Sequence, residues 1–193
     1  MAAAHWTELL DFWFAPPDSP ERGCPRACWF TKSAAFDAQV RDRFLDTHEA
    51  ARSGALDAWR ARPLAALALV VALDQFPRNM FRGEPRAFAA DARALEVARG
   101  IVAAGFDRAL APVQRWFAYL PFEHAEDRDA QRESLRLFES TADGPAGAGT
   151  FTYAMRHYAV IERFGRFPHR NAILGRTSTD DEVEFLRQPG STF

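Results

Sequence analysis

Apolar residues recur along nearly the whole chain at spacings of three and four residues, which predicts amphipathic helices. The first stripe ends at Pro16, and a second begins after Ser33, whose side chain can cap a helix N-terminus. Gly54 ends the second stripe. The apolar positions of the two stripes are Trp6, Leu9, Leu10 and Trp13, and Phe36, Val40 and Phe44.

The segment from Leu64 to Leu73 is apolar on all sides, so we predict that it belongs to a central buried helix that begins at Pro63. Pro77 is predicted to end this helix, because proline lacks the backbone N–H of a helical hydrogen bond. The residues expected in the core are Leu67, Leu69, Val70, Val71, Phe88, Leu95, Trp116, Phe117 and Phe164.

Proline and glycine also divide the second half of the chain. Pro121 is predicted to break a short helix that begins at Pro112, and residues 142–150, with the sequence ADGPAGAGT, are predicted to form a flexible loop. The remaining predicted helices cover about 85–104, 128–138, 151–164 and 179–186.

The pattern contains no convincing strand, because no run of alternating β-branched residues is bounded by turn signals. The chain is 48% hydrophobic and 13% aromatic, so it can bury a sizeable core. We therefore predict an all-α fold in a single domain over residues 1–193. The expected architecture is an array of antiparallel helix pairs with about eight helices.

Composition limits the classes of partner and the cellular compartment that we expect. The formal net charge is −2, which gives no basic field for nucleic acid. The longest apolar run is about half of what a membrane span needs, so we expect no membrane partner. Cys24 and Cys28 are the only cysteines and lack further ligands nearby, so we expect free thiols in the cytoplasm and no bound metal or cofactor.

Three segments place charged side chains beside residues that are expected to be buried. In the first, DQFPRNMFRG, Asp74 lies at the negative end of the apolar helix, where poor solvation demands a cationic partner. Arg78 and Arg82 can supply one, and Asn79 lies between them. The segment predicts either a buried structural clamp or a ligand site.

The second segment is YLPFEHAED, which contains Glu123, His124 and Asp127. If a helix begins near Pro121, the acidic residues favour its positive end. The same end disfavours a charged imidazole, so His124 is predicted to be neutral and able to accept a proton. The alternative is a histidine that only binds a neighbouring carbonyl.

The third region contains His157 and then the turn RFGRFPHRN with His169, Arg170 and Asn171. His157 shares a helix face with apolar residues, which favours a core histidine. The arginines around the turn suit one carboxylate or phosphate group, or else are solvated surface residues. No two of these histidines have a recognised metal-ligand spacing, so we predict no metal site.

Five motifs together resemble one family. DQFPRNMFRG, YLPFEHAED and RFGRFPHRNAILGR, with ELLDFWF near the start and EFLRQPGSTF at the end, are similar to a mainly bacterial family, domain of unknown function 924. The resemblance spans almost the whole chain. It implies an all-α, tetratricopeptide-like fold and no particular activity. The motif residues are Asp74, Arg78, Asn79, Glu123, His124, Asp127, His169, Arg170 and Asn171.

Three functions are consistent with these residues. The first is a binding protein that holds a small anion or a peptide in a pocket lined by arginine, histidine and acidic residues. The second is a metal-independent, hydrolase-like enzyme with a histidine general base. The third is a scaffold without a site.

We expect the three segments to meet in space. The catalytic candidates are His124, His169 and Asp127, and the ligand-binding candidates are Asp74, Arg78, Asn79, Arg82, Glu123, His157, Arg170 and Asn171.

Overall fold

The computed structural model describes residues 5–142 and 144–192, and every regular element within those ranges is helical. The prediction of an all-α fold is therefore confirmed. The α-helices are α1 (Trp6–Phe14), α2 (Ala34–Ser53), α3 (Pro63–Val70, a π-helical turn over Val71–Gln75, and Phe76–Met80), α4 (Asp91–Ala103), α5 (Pro112–Glu123), α6 (Arg128–Glu139), α7 (Gly144–Phe164) and α8 (Asp180–Leu186).

The helix ends follow the predicted capping residues. The Ser33 hydroxyl accepts the backbone N–H of Phe36 at the start of α2, and Gly54 ends that helix with a φ of 90°. At α8, Thr179 and Glu182 form the reciprocal bonds of a capping box. These local signals therefore set the helix boundaries as expected.

Pro77 does not end α3, so that prediction is wrong. The backbone widens into a π-helical turn, in which the Phe76 N–H donates to the Val71 carbonyl. The next bond of this pattern would join residue 77 to Ala72, and proline has no N–H to donate. The Nδ1 atom of His48, on α2, lies 2.9 Å from the Ala72 carbonyl and satisfies it instead. The helix therefore continues through Pro77, and the Ala72 carbonyl has a hydrogen-bond partner in His48.

Pro121 does not break α5 either. The helix continues through Pro121 to Glu123, because burial of Phe117 and Phe122 outweighs one lost backbone bond. The predicted loop over residues 142–150 is also wrong for most of its length, since α7 begins at Gly144; residue 143 lies outside the described residues.

Helix α7 tolerates glycine because its first turns approach the preceding segment closely. A Cβ atom at Gly147 would collide with the Thr141 carbonyl, so glycine is required for this approach. Helix propensity argued for a loop here, and tertiary packing overrode it. At Gly147, a glycine that predicted flexibility therefore serves close packing.

Helix α3 occupies the centre of the fold and packs against α1, α2, α4 and α5. The predicted core positions on this helix, from Leu67 to Val71, are fully buried. Of the remaining predicted core residues, Leu95, Trp116 and Phe117 are buried, whereas Phe88 and Phe164 are half-buried.

Consecutive helices α4 to α7 pack in turn as neighbours joined by short connections. No helix in the described ranges is long and apolar enough to cross a membrane.

Candidate functional site

The π-helical turn of α3 carries the Asp74 carboxylate, which is completely buried. The Nδ1 atom of His124 lies 2.8 Å from Asp74 Oδ1 and 3.0 Å from Oδ2. The pKa of Asp74 is held well below its usual range, because the charge of Arg78 and the hydrogen bonds from His124 and Gln75 outweigh the cost of burial. An ionised carboxylate only accepts hydrogen bonds, so Nδ1 of His124 carries the proton and donates it.

The opposite ring atom of His124, Nε2, is consequently the one with the lone pair. No hydrogen bond within the described part of the chain reaches Nε2, and the side chain is 14% exposed. Asp74 therefore fixes the tautomer and the orientation of the ring and leaves one nitrogen able to accept a proton.

The predicted reason for the neutrality of His124 is wrong. His124 lies at the C-terminal end of α5, where its backbone N–H donates to the Leu120 carbonyl, and not at a helix start. A helix C-terminus favours a cation. Burial and the nearby charge of Arg78 nevertheless lower the pKa of His124 below its usual value, so the ring is neutral at neutral pH.

Arg78 joins this pair to a second acid that the sequence did not single out. Its Nη1 and Nη2 atoms lie 2.8 Å and 2.9 Å from the two oxygens of Asp91, at the start of α4. Nη1 also lies 2.7 Å from the Asp74 carbonyl oxygen and 3.3 Å from Asp74 Oδ1. An acidic residue in a first helical turn fits the helix dipole, so nothing in the sequence marked Asp91 as a partner of Arg78.

Arg170 reaches the same acid from the turn after α7. Its Nη1 atom lies 3.2 Å from Asp91 Oδ2, and only 5% of the residue is exposed. Its Nε atom is buried without a hydrogen-bond partner among the described residues. Burial and the charge of Arg78 lower the pKa of Arg170 to about 10. We call Asp74, Arg78, Asp91, His124 and Arg170 the buried polar network.

Glu123 and His157 form an adjacent pair with altered charge states. The Nδ1 atom of His157 lies 2.9 Å from the Tyr153 carbonyl and 3.2 Å from Glu123 Oε1. Burial, with the nearby charge of Asp74, raises the pKa of Glu123 to about 8, and burial lowers the pKa of His157 to about 3. Both groups are therefore neutral at pH 7, and their contact is not an ion pair.

His169 borders the network. Its ring lies 5.6 Å from the ring of Phe167, and burial with the charge of Arg170 lowers its pKa to about 4. The three predicted segments thus meet in part, through Asp74 and Arg78, Glu123 and His124, and Arg170.

The other predicted site residues lie elsewhere. Asn79 and Arg82 both donate to Asp37 on α2, with distances of 2.7 Å from Asn79 Nδ2 and 2.7 Å from Arg82 Nε. Asp127 is exposed, and its carboxylate caps α6 by accepting the Ala130 N–H at 2.7 Å. None of these three candidates contacts the buried polar network through a hydrogen bond or an ion pair.

Asn171 belongs to a separate group that we call the C-terminal ion cluster, which contains Glu126, Arg166, Asn171, Arg176 and Glu182. Arg166 binds both oxygens of Glu182 at 2.6 Å and 2.7 Å, and Arg176 binds both oxygens of Glu126 at 2.6 Å and 2.9 Å. Asn171 connects the two pairs, since its amide contacts Glu182 at 3.2 Å and its carbonyl accepts Arg176 Nε at 2.9 Å.

Two surface clefts lie outside the buried polar network. One, of about 400 Å³, lies beside Arg166 and Glu182, and the other, of about 250 Å³, lies beside Val102 and Phe122. Neither is lined by a residue of the network. No group of three or more His, Cys, Asp or Glu side chains in ranges 5–142 and 144–192 is arranged to hold a metal ion.

Comparison with known proteins gives three findings. The model of a family described as "Bacterial protein of unknown function (DUF924)" matches residues 9–190. The solved structure of a protein of unknown function from Agrobacterium tumefaciens is 42% identical, with a TM-score of 0.82; the match covers 94% of this chain and 96% of that one. Among curated proteins, none matches.

Proposed function

The chain belongs to the DUF924 family of bacterial proteins of unknown function, and we propose that it is an enzyme in which His124 acts as a general base. The observation that supports this is the contact between His124 Nδ1 and the buried Asp74 carboxylate at 2.8 Å, which leaves Nε2 available. A carboxylate that orients an imidazole in this way fixes its tautomer and stabilises the imidazolium that forms on proton transfer.

The charge state supports the same role. A general base must be unprotonated before it reacts, and burial and Arg78 keep the pKa of His124 below its usual value. The ring also has access to solvent, since the side chains of His124, Arg78 and Asp91 are 14%, 19% and 17% exposed. We propose that a small substrate approaches the base from this side.

The reaction class follows from the residue types that surround His124 in the buried polar network. The buried polar network contains no serine, threonine or cysteine, so His124 would activate a water molecule or remove a proton from the substrate itself. Hydrolysis of a small molecule by activated water is the reaction that we propose. The partner is a small molecule rather than nucleic acid, and the free thiols Cys24 and Cys28 support a cytoplasmic location.

The test is turnover of p-nitrophenyl esters, anilides and phosphoesters by the purified protein, with and without a chelator. His124→Gln and Asp74→Asn should each lower kcat roughly 10²–10⁴-fold, because each removes the oriented base. The rate should rise with pH and level off at a lower pH than an ordinary histidine base requires, since burial and the charge of Arg78 lower the pKa of His124.

His5 supplies a matched control, because it is an exposed histidine that caps α1. His5→Gln should leave turnover unchanged. Turnover that survives His124→Gln would overturn the assignment of the base. Ligand binding without turnover of any probe would instead favour a binding protein.

A further inference from the structure

The two arginines of the buried polar network are paired to different degrees. Arg78 makes a bidentate contact with Asp91 and further contacts with Asp74. Arg170 has one hydrogen bond to a carboxylate, at 3.2 Å, and it shares that Asp91 oxygen with Arg78 Nη2. The Arg170 cation is therefore only partly neutralised.

The Arg170 atom that lacks a hydrogen-bond partner among the described residues is Nε. Arg170 Nε is buried and donates to no described residue, whereas the Nε atoms of Arg166 and Arg176 donate to Glu182 and Asn171. A buried donor without an acceptor destabilises the folded state by roughly 1–3 kcal/mol, and more on a charged group. Burial and the charge of Arg78 also disfavour the Arg170 cation and lower its pKa to about 10.

We propose that Arg170 binds the carboxylate group of a small-molecule ligand, which accepts the Nε–H and an adjacent N–H of the guanidinium as a pair. A guanidinium edge and a carboxylate match as two parallel hydrogen bonds. If the proposed function holds, this carboxylate belongs to the substrate; the binding itself does not require His124.

The surroundings favour a carboxylate over a phosphate. The Arg170 Cζ atom lies 4.6 Å from the ring centroid of Phe88 and 4.5 Å from that of Phe167, so apolar rings crowd the cation. Asp91, which is already in contact with Arg170, would repel a dianion more strongly than a monoanion. A flat, singly charged group therefore fits this position better than a tetrahedral, doubly charged one.

The experiment observes the Arg170 Nε–H directly by ¹H–¹⁵N NMR of the wild-type protein. Acetate, benzoate and succinate are titrated at constant ionic strength, with inorganic phosphate and chloride in parallel. The Arg170 Nε–H signal should shift saturably with the carboxylates and little with phosphate or chloride. The Nε–H signals of Arg166 and Arg176 are internal controls, because both donors are already paired and should stay in place.

Arg170→Lys identifies the signal, since lysine keeps the charge and lacks the Nε–H. This variant should bind the carboxylates roughly tenfold or more weakly, the loss expected for a hydrogen bond to a charged group. The wild-type titration needs no variant, so it stays decisive if Arg170→Lys does not fold.

Absence of a saturable shift with all three carboxylates, or an equal shift with chloride, would overturn the assignment. The same titration on His124→Gln separates the two proposals. A shift that persists there supports the carboxylate site independently of the base, whereas turnover that also survives there contradicts only the general base.

Discussion

The buried polar network and the C-terminal ion cluster use the same kinds of side chain with opposite results. In the cluster, both oxygens of Glu182 and of Glu126 contact an arginine, and the pKa of Glu182 falls to about 2 because of its bond to Arg166. In the network, Arg170 Nε has no partner among the described residues, and no described residue hydrogen-bonds to His124 Nε2.

This difference in pairing distinguishes a purely structural ion pair from a binding or reactive site. Complete pairing stabilises charged groups and leaves nothing to bind a ligand. Incomplete pairing in a buried position destabilises the protein, and it is maintained at places where a ligand or a reacting atom completes the set. The C-terminal ion cluster is of the first kind, and the proposed function assigns the buried polar network to the second.

The largest expected effect is on stability. Asp74→Leu should lower the free energy of unfolding by about 3–5 kcal/mol, because it removes one partner of Arg78 and His124 in a fully buried position. Urea denaturation measures this change. The control is Glu133→Gln, which breaks an exposed pair with Arg136 and should change stability by less than about 1 kcal/mol. Equal losses for the two variants would remove the contrast between buried and exposed pairs.

The next prediction concerns how the stability contributed by Glu123, beside the buried polar network, depends on pH. The pKa of Glu123 is raised to about 8 in the folded protein, so its contribution to stability is present below the unfolded pKa of about 4.3 and is lost as the pH rises toward 8. Glu123→Gln cannot ionise and should stabilise the protein at pH 8 by up to about 4 kcal/mol. Denaturation at pH 5 and pH 8 measures it, and an unchanged pH dependence would contradict the prediction.

Glu182 should behave in the opposite sense. Its pKa is lowered to about 2 in the folded protein, so its contribution is present above about pH 4.3 and is lost as the pH falls toward 2. Glu182→Gln should therefore destabilise the protein at pH 7 and make it less sensitive to acid. Thermal unfolding between pH 3 and pH 7 tests this, and a loss that is equal at both ends would count against the ion-pair account.

The spacing of the polar residues between Asp74 and Arg82 indicates which of them belong to the site. Asp74 and Arg78 are four residues apart and share one face of α3. Asn79 lies on another face, where it meets Asp37 together with Arg82 from the turn after α3. The expectation that Pro77 ends the helix concealed this separation. The buried Asp74 and its pairing with Arg78 were nevertheless predictable, because burial and the helix dipole both demand a cation there.

Other features depend on contacts that sequence spacing does not encode. Asp91 pairs with arginines 13 and 79 positions away, and His48 fills a carbonyl 24 positions away. Tertiary packing decides such partners, so a local pattern indicates only that a partner is needed. The same holds for α5, which continues through Pro121 and thereby places His124 at a helix end rather than at a helix start.

The central claim is that His124 is a neutral base whose proton resides on Nδ1, facing Asp74. Long-range ¹H–¹⁵N NMR of the imidazole nitrogens at pH 7 measures both properties without a substrate. We predict a neutral His124 ring with a protonated Nδ1 and an unprotonated Nε2, and loss of that tautomer preference in Asp74→Asn. An imidazolium at pH 7, or a ring protonated on Nε2 alone, would contradict the account.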